Sequence, residues 1–106
     1  MRYQIMRLII MFDLPVDTAH QRREYRRFRK QLINEGFFMI QYSVYVGVCV
    51  SMQSANFIEK RVSTFLTEAG IIQSLMLTEK QYSDMHFLTG KPKEDVRNTS
   101  DRTVFL

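Results

Sequence analysis

Arg7-Leu8-Ile9-Ile10-Met11-Phe12-Asp13-Leu14-Pro15 is the stretch whose reading decides the fold. Residues 5–12 form a nearly unbroken apolar run, which suits a central strand covered on both faces. The run stops at Asp13, and Pro15 cannot donate to a sheet ladder, so the strand ends there and the chain turns. Just beyond, Thr18 and Gln21 have capping-box spacing, with Asp17 as a competing N-cap.

Working outward, residues 18–35 give the clearest helix. Tyr25, Phe28 and Leu32 recur at intervals of three and four and share one face. Gly36 follows as a C-cap residue. Residues 37–40 and 44–50 are rich in aromatic and β-branched side chains and read as strands, separated by a kink at Gln41, Tyr42 and Ser43. A second helix is predicted over 54–69, with Ile58, Val62, Phe65 and Ala69 facing inward and Gly70 ending it. Residues 71–78 are a further strand, 91–102 are almost wholly polar, and 103–106 form a short apolar end, either a frayed tail or a last strand.

This order predicts an α+β fold, a ferredoxin-like βαββαβ sandwich with two helices on one face of an antiparallel-rich sheet. The expected organisation is a single domain over 1–106, with a core over 1–79 and a C-terminal extension over 80–106. The second sheet face, expected to carry residues such as Met11, Met39 or Tyr45, would be a sizeable apolar patch, and face-to-face homodimerisation would cover it.

Composition narrows the function classes. A chain of 106 residues has room for one core. Its 45% hydrophobic and 25% charged residues are those of a soluble globular protein. No apolar run is long enough to suggest a membrane span, and no secretory signal is read at the N-terminus. The single Cys49 excludes an intramolecular disulfide and a Cys-based zinc cluster, so the expected setting is reducing and cytoplasmic.

The net charge of +4 is modest, and its distribution says more. Six of the 15 Lys and Arg residues lie between Arg22 and Lys30, opposed only by Glu24. At about 100° per residue, Arg29 and Arg22 lie nearest the apolar stripe, followed by Arg26, Lys30, Arg23 and Arg27. Glu24, Gln31 and Glu35 take the remaining side. Such an arc can neutralise phosphates with counterion release, and Arg22, Arg23, Arg26, Arg27 and Lys30 are the candidate nucleic-acid contacts. A solvated helix face is the alternative.

Asp13 is the most suggestive single residue. A carboxylate just past a buried strand is expected to be partly desolvated and rigidly placed. Magnesium needs only one or two carboxylates when water and substrate phosphate complete its shell. One Asp13 from each subunit of a dimer would then suffice; a plain turn residue is the other reading. His20 and His86 lack ligand spacing, Cys49 reads as a core residue, and the seven Met residues read as packing. Ser43 has no evident triad partners, and the four Gly residues make no phosphate-cradling loop.

Several segments together resemble one family, the second CRISPR-associated protein, particularly its type II branch. They are the opening stretch quoted above, then Tyr25-Arg26-Arg27-Phe28-Arg29-Lys30, Glu35-Gly36-Phe37 and Gln41-Tyr42-Ser43-Val44-Tyr45. Leu77-Thr78-Glu79-Lys80-Gln81-Tyr82 and Arg102-Thr103-Val104-Phe105-Leu106 complete an ordered set along essentially the whole chain.

The resemblance implies a ferredoxin-like homodimer that sits between dimers of the CRISPR integrase, the first CRISPR-associated protein. There it would hold duplex DNA (prespacer and repeat) while new spacers are inserted in antiviral defence. It also implies that Thr103, Val104, Phe105 and Leu106 contact the dimer mate or the integrase. Members are described as metal-dependent endonucleases acting on RNA or duplex DNA, and their magnesium-binding Asp corresponds to Asp13. One acidic residue without a clear general base is thin equipment for phosphodiester hydrolysis, so the scaffold role is favoured. The rivals are a magnesium-dependent endoribonuclease acting on its own and a ferredoxin-like regulatory module that binds a metabolite.

Overall fold

The computed structural model describes residues 4–91. Seven elements follow in order: β1 (Met6–Asp13), α1 (Ala19–Asn34), β2 (Phe38–Gln41), β3 (Val44–Cys49), α2 (Met52–Val62), β4 (Ile71–Thr78) and α3 (Glu79–Ser83). The four strands form one antiparallel sheet in the order β2-β3-β1-β4, so the opening stretch is central as predicted. This is the split βαββαβ arrangement, with the short α3 added.

Alternation along β1 builds the core. Met6, Leu8, Ile10 and Phe12 point to the helices and bury against Phe28 and Leu32 of α1, Tyr45 and Cys49 of β3, and Ala55 and Val62 of α2. Phe12 meets the Phe28 ring edge-on at 5.1 Å and stacks on Tyr45 at 5.7 Å. Each such side chain stabilises the fold by about 1.5–3 kcal/mol through area burial.

α1 begins and ends on the residues the sequence marks. Thr18 accepts from the Gln21 N–H (3.1 Å), and the Gln21 side chain accepts from the Thr18 N–H (3.0 Å), so Thr18 rather than Asp17 is the N-cap. At the other end Gly36 adopts φ 99°, its N–H bonds the Ile33 carbonyl, and the Phe37 N–H bonds the Leu32 carbonyl. These two bonds are those of a Schellman motif, and the buried Phe37 and Leu32 supply its apolar contact.

Three expectations are corrected. α2 spans Met52–Val62 rather than 54–69: Ser51 caps its start by accepting from the Ser54 N–H. At its end the Ser63 and Thr64 hydroxyls take the Glu59 and Arg61 carbonyls, competing with further helix. Phe65 still packs on the core, but Ala69 is exposed. Secondly, Met39 and Tyr45 do not share a face with Met11. The pairs Ile10↔Tyr45 and Met39↔Tyr45 place both on the helix-covered side. The opposite face carries Arg7, Ile9, Val46 and Val48, at 7%, 5%, 0% and 2% exposure, so it is not bare there. Thirdly, Asp13 is exposed rather than partly desolvated.

Candidate nucleic-acid interface and carboxylate site

Asp13 ends β1 opposite Ile71 of β4. By alternation it shares the face of Met11, away from the helices. Beside it, a shallow cleft of about 380 Å³ is lined by Met11, Phe12, Asp13, Tyr42, Ser43, Val44, Ile71 and Gln73. The β2–β3 turn is tied to this strand end by the Phe12 N–H, which donates to the Ser43 carbonyl at 3.0 Å. Ser43 adopts φ 63°, the sole positive φ of a non-glycine among the described residues. Gly70 (φ 94°) runs close to the end of β1: a Cβ there would stand 2.6 Å from the Asp13 carbonyl oxygen.

The donor set suits magnesium only in part. No group of three or more His, Cys, Asp or Glu able to hold a metal exists among the described residues. Among the described residues Asp13 is the one carboxylate of the cleft, so a cation there would draw its other ligands from water, from substrate phosphate or from a second Asp13.

The basic helix divides into engaged and open cations. Arg22 donates to the Val16 and Asp17 carbonyls at 3.2 Å each, bracing the turn before α1. Arg27 pairs with Glu24, whose carboxyl is held below its ordinary pKa chiefly by that hydrogen bond. Arg29 lies toward the buried Tyr45 hydroxyl, whose pKa burial raises and Arg29 opposes. Arg23, Arg26 and Lys30 are exposed and have no ion-pair partner among the described residues. Their spacing of three and four sets them in one stripe along α1.

These two candidate sites are not brought together. α1 packs on one side of the sheet and its stripe faces outward, whereas the Asp13 cleft opens on the other. His20 lies 3.8 Å from the Glu24 carboxylate, and His86 is exposed. Cys49 is free and buried, and burial pushes its thiol up to about 11, which fits its reading as a core residue. Thr103, Val104, Phe105 and Leu106 lie outside the described residues.

The sequence reading missed the neighbours of Asp13 in the turn, Tyr42 and Ser43, as site residues. The signal was present: an aromatic and a hydroxyl residue at a hairpin tip that favours Gly or Asn. It also missed Arg7, which is bound by Glu79 and lies 4.5 Å over the Tyr82 ring. Among the described residues no helix is long and apolar enough to cross a membrane.

Comparisons with known proteins converge. The family model described as "CRISPR associated protein Cas2" matches residues 6–85. A protein from Ligilactobacillus salivarius (strain UCC118), named CRISPR-associated endoribonuclease Cas2, is 64% identical over 101 residues, covering 95% of this chain and all of the relative. A protein of the same name from Streptococcus mutans serotype c (strain ATCC 700610 / UA159) is 41% identical over 101 residues, 95% of this chain and 93% of the relative. A crystal structure of Cas2 superposes with a TM-score of 0.56 at 24% identity, over 84% of this chain and 91% of that one, and so shares the fold.

Proposed function

The chain belongs to the CRISPR-associated Cas2 family, and we propose that within CRISPR defence it is the subunit that holds duplex DNA while new spacers are integrated. The observation that carries this reading is the open stripe of Arg23, Arg26 and Lys30 on a rigid helix. Three cations of one sign on a fixed face meet phosphates without reorganisation and without reading base sequence. Arg22 and Arg27 flank the stripe and add to its field.

The reading includes a homodimer placed between dimers of the CRISPR integrase. Ile71 and Leu75, on the edge strand β4, are 60% and 47% exposed and support an interface on the face away from the helices. The residues assigned to dimer or integrase contact are Thr103, Val104, Phe105 and Leu106.

A second reading has its own support. The relatives are named endoribonucleases, and Asp13 stands at a cleft of its own. In this reading the Asp13 carboxylates of two copies hold magnesium against a phosphodiester. The ion, when bound, polarises the phosphoryl oxygen and lowers the pKa of water. Asp13 would anchor it, on a strand end that Gly70 approaches too closely to admit a Cβ.

The test is spacer integration in vitro with purified integrase, comparing no subunit, wild type, the Arg23→Ala/Arg26→Ala/Lys30→Ala variant and Asp13→Ala. A requirement for wild type, failure of the triple variant and full activity of Asp13→Ala support the DNA-holding role. Failure of a folded Asp13→Ala, with RNA cleavage by wild type that depends on magnesium, moves the nuclease reading ahead.

A further inference from the structure

The Phe57 ring stands 61% exposed on α2, one turn from the exposed Lys60. Ala55, Ile58 and Val62 turn to the core. At about 100° per residue, Gln53, Phe57 and Lys60 therefore point the opposite way, and all three are exposed. We infer that the duplex track of α1 continues onto α2, where Lys60 meets a phosphate and Phe57 packs on the adjoining deoxyribose, so that this face prefers DNA to RNA. This deepens, and rests on, the DNA-holding reading.

The two helices present one outer surface. Phe28 and Leu32 of α1 and Ala55 and Val62 of α2 enter a single core on the same side of the sheet, so the opposite sides of both helices look outward together. Arg61 grips the Glu35 carboxylate with two hydrogen bonds of 2.8 Å each, which ties the end of α2 to the C-cap of α1. Lys60 is the next residue to Arg61, and it extends across the pair the row formed by Arg23, Arg26 and Lys30.

Charge names the occupant. The carboxylates of the two helices and their caps are all engaged: Glu24 by Arg27, Glu35 by Arg61, and Glu59 by the Ser74 hydroxyl. Lys60, like Arg23, Arg26 and Lys30, is exposed and has no ion-pair partner among the described residues. Open cations without an open carboxylate between them fit a polyanion.

The preference for DNA comes from Phe57. Apolar side chains, Phe among them, grip the shallow groove of duplex DNA. Deoxyribose offers such a ring apolar carbon, whereas ribose carries a 2′-hydroxyl there. Against the ring that hydroxyl would lose water without gaining a partner.

The test measures binding of a fluorescently labelled DNA duplex, and of the RNA duplex of the same sequence, to the full chain over a range of salt. A chelator is present so that no strand is cut. Lys60→Ala is expected to lower the slope of log K against log salt for DNA by about 0.9, one phosphate contact. Phe57→Ala is expected to keep the slope and to lower the ratio of DNA to RNA affinity by roughly 5- to 150-fold, the range for a hydroxyl left unpaired. Melting temperatures are expected to hold in both, because the two side chains face away from the core.

Either readout unmoved overturns the inference. If the Arg23→Ala/Arg26→Ala/Lys30→Ala variant loses slope while both α2 variants bind as wild type, the DNA-holding reading stands and the track ends on α1. If those α2 variants instead lose capture of purified integrase, the face belongs to a protein and the inference falls. Wild type that binds no duplex sinks the inference and the DNA-holding reading together.

Discussion

The Arg7 guanidinium grips the Glu79 carboxylate with two hydrogen bonds, Nε to Oε2 at 2.7 Å and Nη2 to Oε1 at 2.8 Å. The pair joins the central strand to the first residue of α3, where the Glu79 N–H also reaches the Ile5 carbonyl at 3.3 Å. Arg7 is buried, and this fork and the Tyr82 ring both offset the cost of burying its charge.

Glu79→Gln leaves that buried cation facing a neutral amide. The expected loss is about 1–3 kcal/mol in urea unfolding, the cost of a buried group whose charged partner is gone. A change below the error of the fit would show the fork to be idle. The Arg7 hydrogen bond also holds the Glu79 carboxyl below its ordinary value of 4.5. A carboxyl with a depressed folded pKa stabilises above the unfolded value, and that contribution fades as pH falls through the folded one. The gap between wild type and Glu79→Gln is therefore expected to be full at pH 7 and to close below about 4.5; a gap constant down to pH 3 would refute the linkage.

Salt dependence reads the α1 stripe directly. Replacing Arg23, Arg26 and Lys30 by Ala is expected to lower the slope of log K against log salt for duplex DNA by about 2.7, at about 0.9 per phosphate contact. Circular dichroism should not change, because the three side chains face away from the core. An unaltered slope would move the DNA to another surface.

Gly70→Ala and Gly90→Ala separate steric clash from backbone strain. Both glycines have positive φ, at 94° and 80°. Only at Gly70 would a Cβ strike backbone, the Asp13 carbonyl oxygen at 2.6 Å, while at Gly90 nothing lies within 4 Å. The Gly90 change is expected to cost about 1–2 kcal/mol, and the Gly70 change clearly more, with loss of any Asp13-dependent activity. Equal melting temperatures for the two variants would remove the close approach from the account.

Cys49 offers a clean probe of the core. Its buried thiol, pushed up to about 11, is expected to resist an aromatic disulfide reagent at pH 8 until the chain unfolds. Rapid labelling of native protein would mean that the core opens locally at α2 and β3.

Local signals were legible in this sequence, and pairings between distant residues were not. The Thr18–Gln21 spacing and Gly36 bound α1 because caps act within a few residues. The same spacing recurs at Thr78 and Gln81, where it caps α3, a helix whose five residues are too few to show periodicity. The apolar rhythm overstates α2 because Phe65 continues it after the hydroxyls of Ser63 and Thr64 have ended the helix. The face of Met39 and Tyr45 is not legible in the sequence, because a period of two fixes alternation but not its phase. The phase comes from pairing, and a register shift between Met39 and Gln41 hides it further. The place of Asp13 at a strand end is legible in the sequence, yet its nearness to Tyr42, Ser43 and Gln73 depends on which strands adjoin.

The sheet stands between the cation stripe of α1 and the carboxylate of β1, and this makes the two surfaces chemically independent. A polyanion such as heparin would occupy the first and leave the second open, while in the nuclease reading a chelator would act only on the second. Inhibitors of the two kinds should therefore show no mutual competition on one chain, and resistance to either should arise from substitutions that leave sensitivity to the other intact.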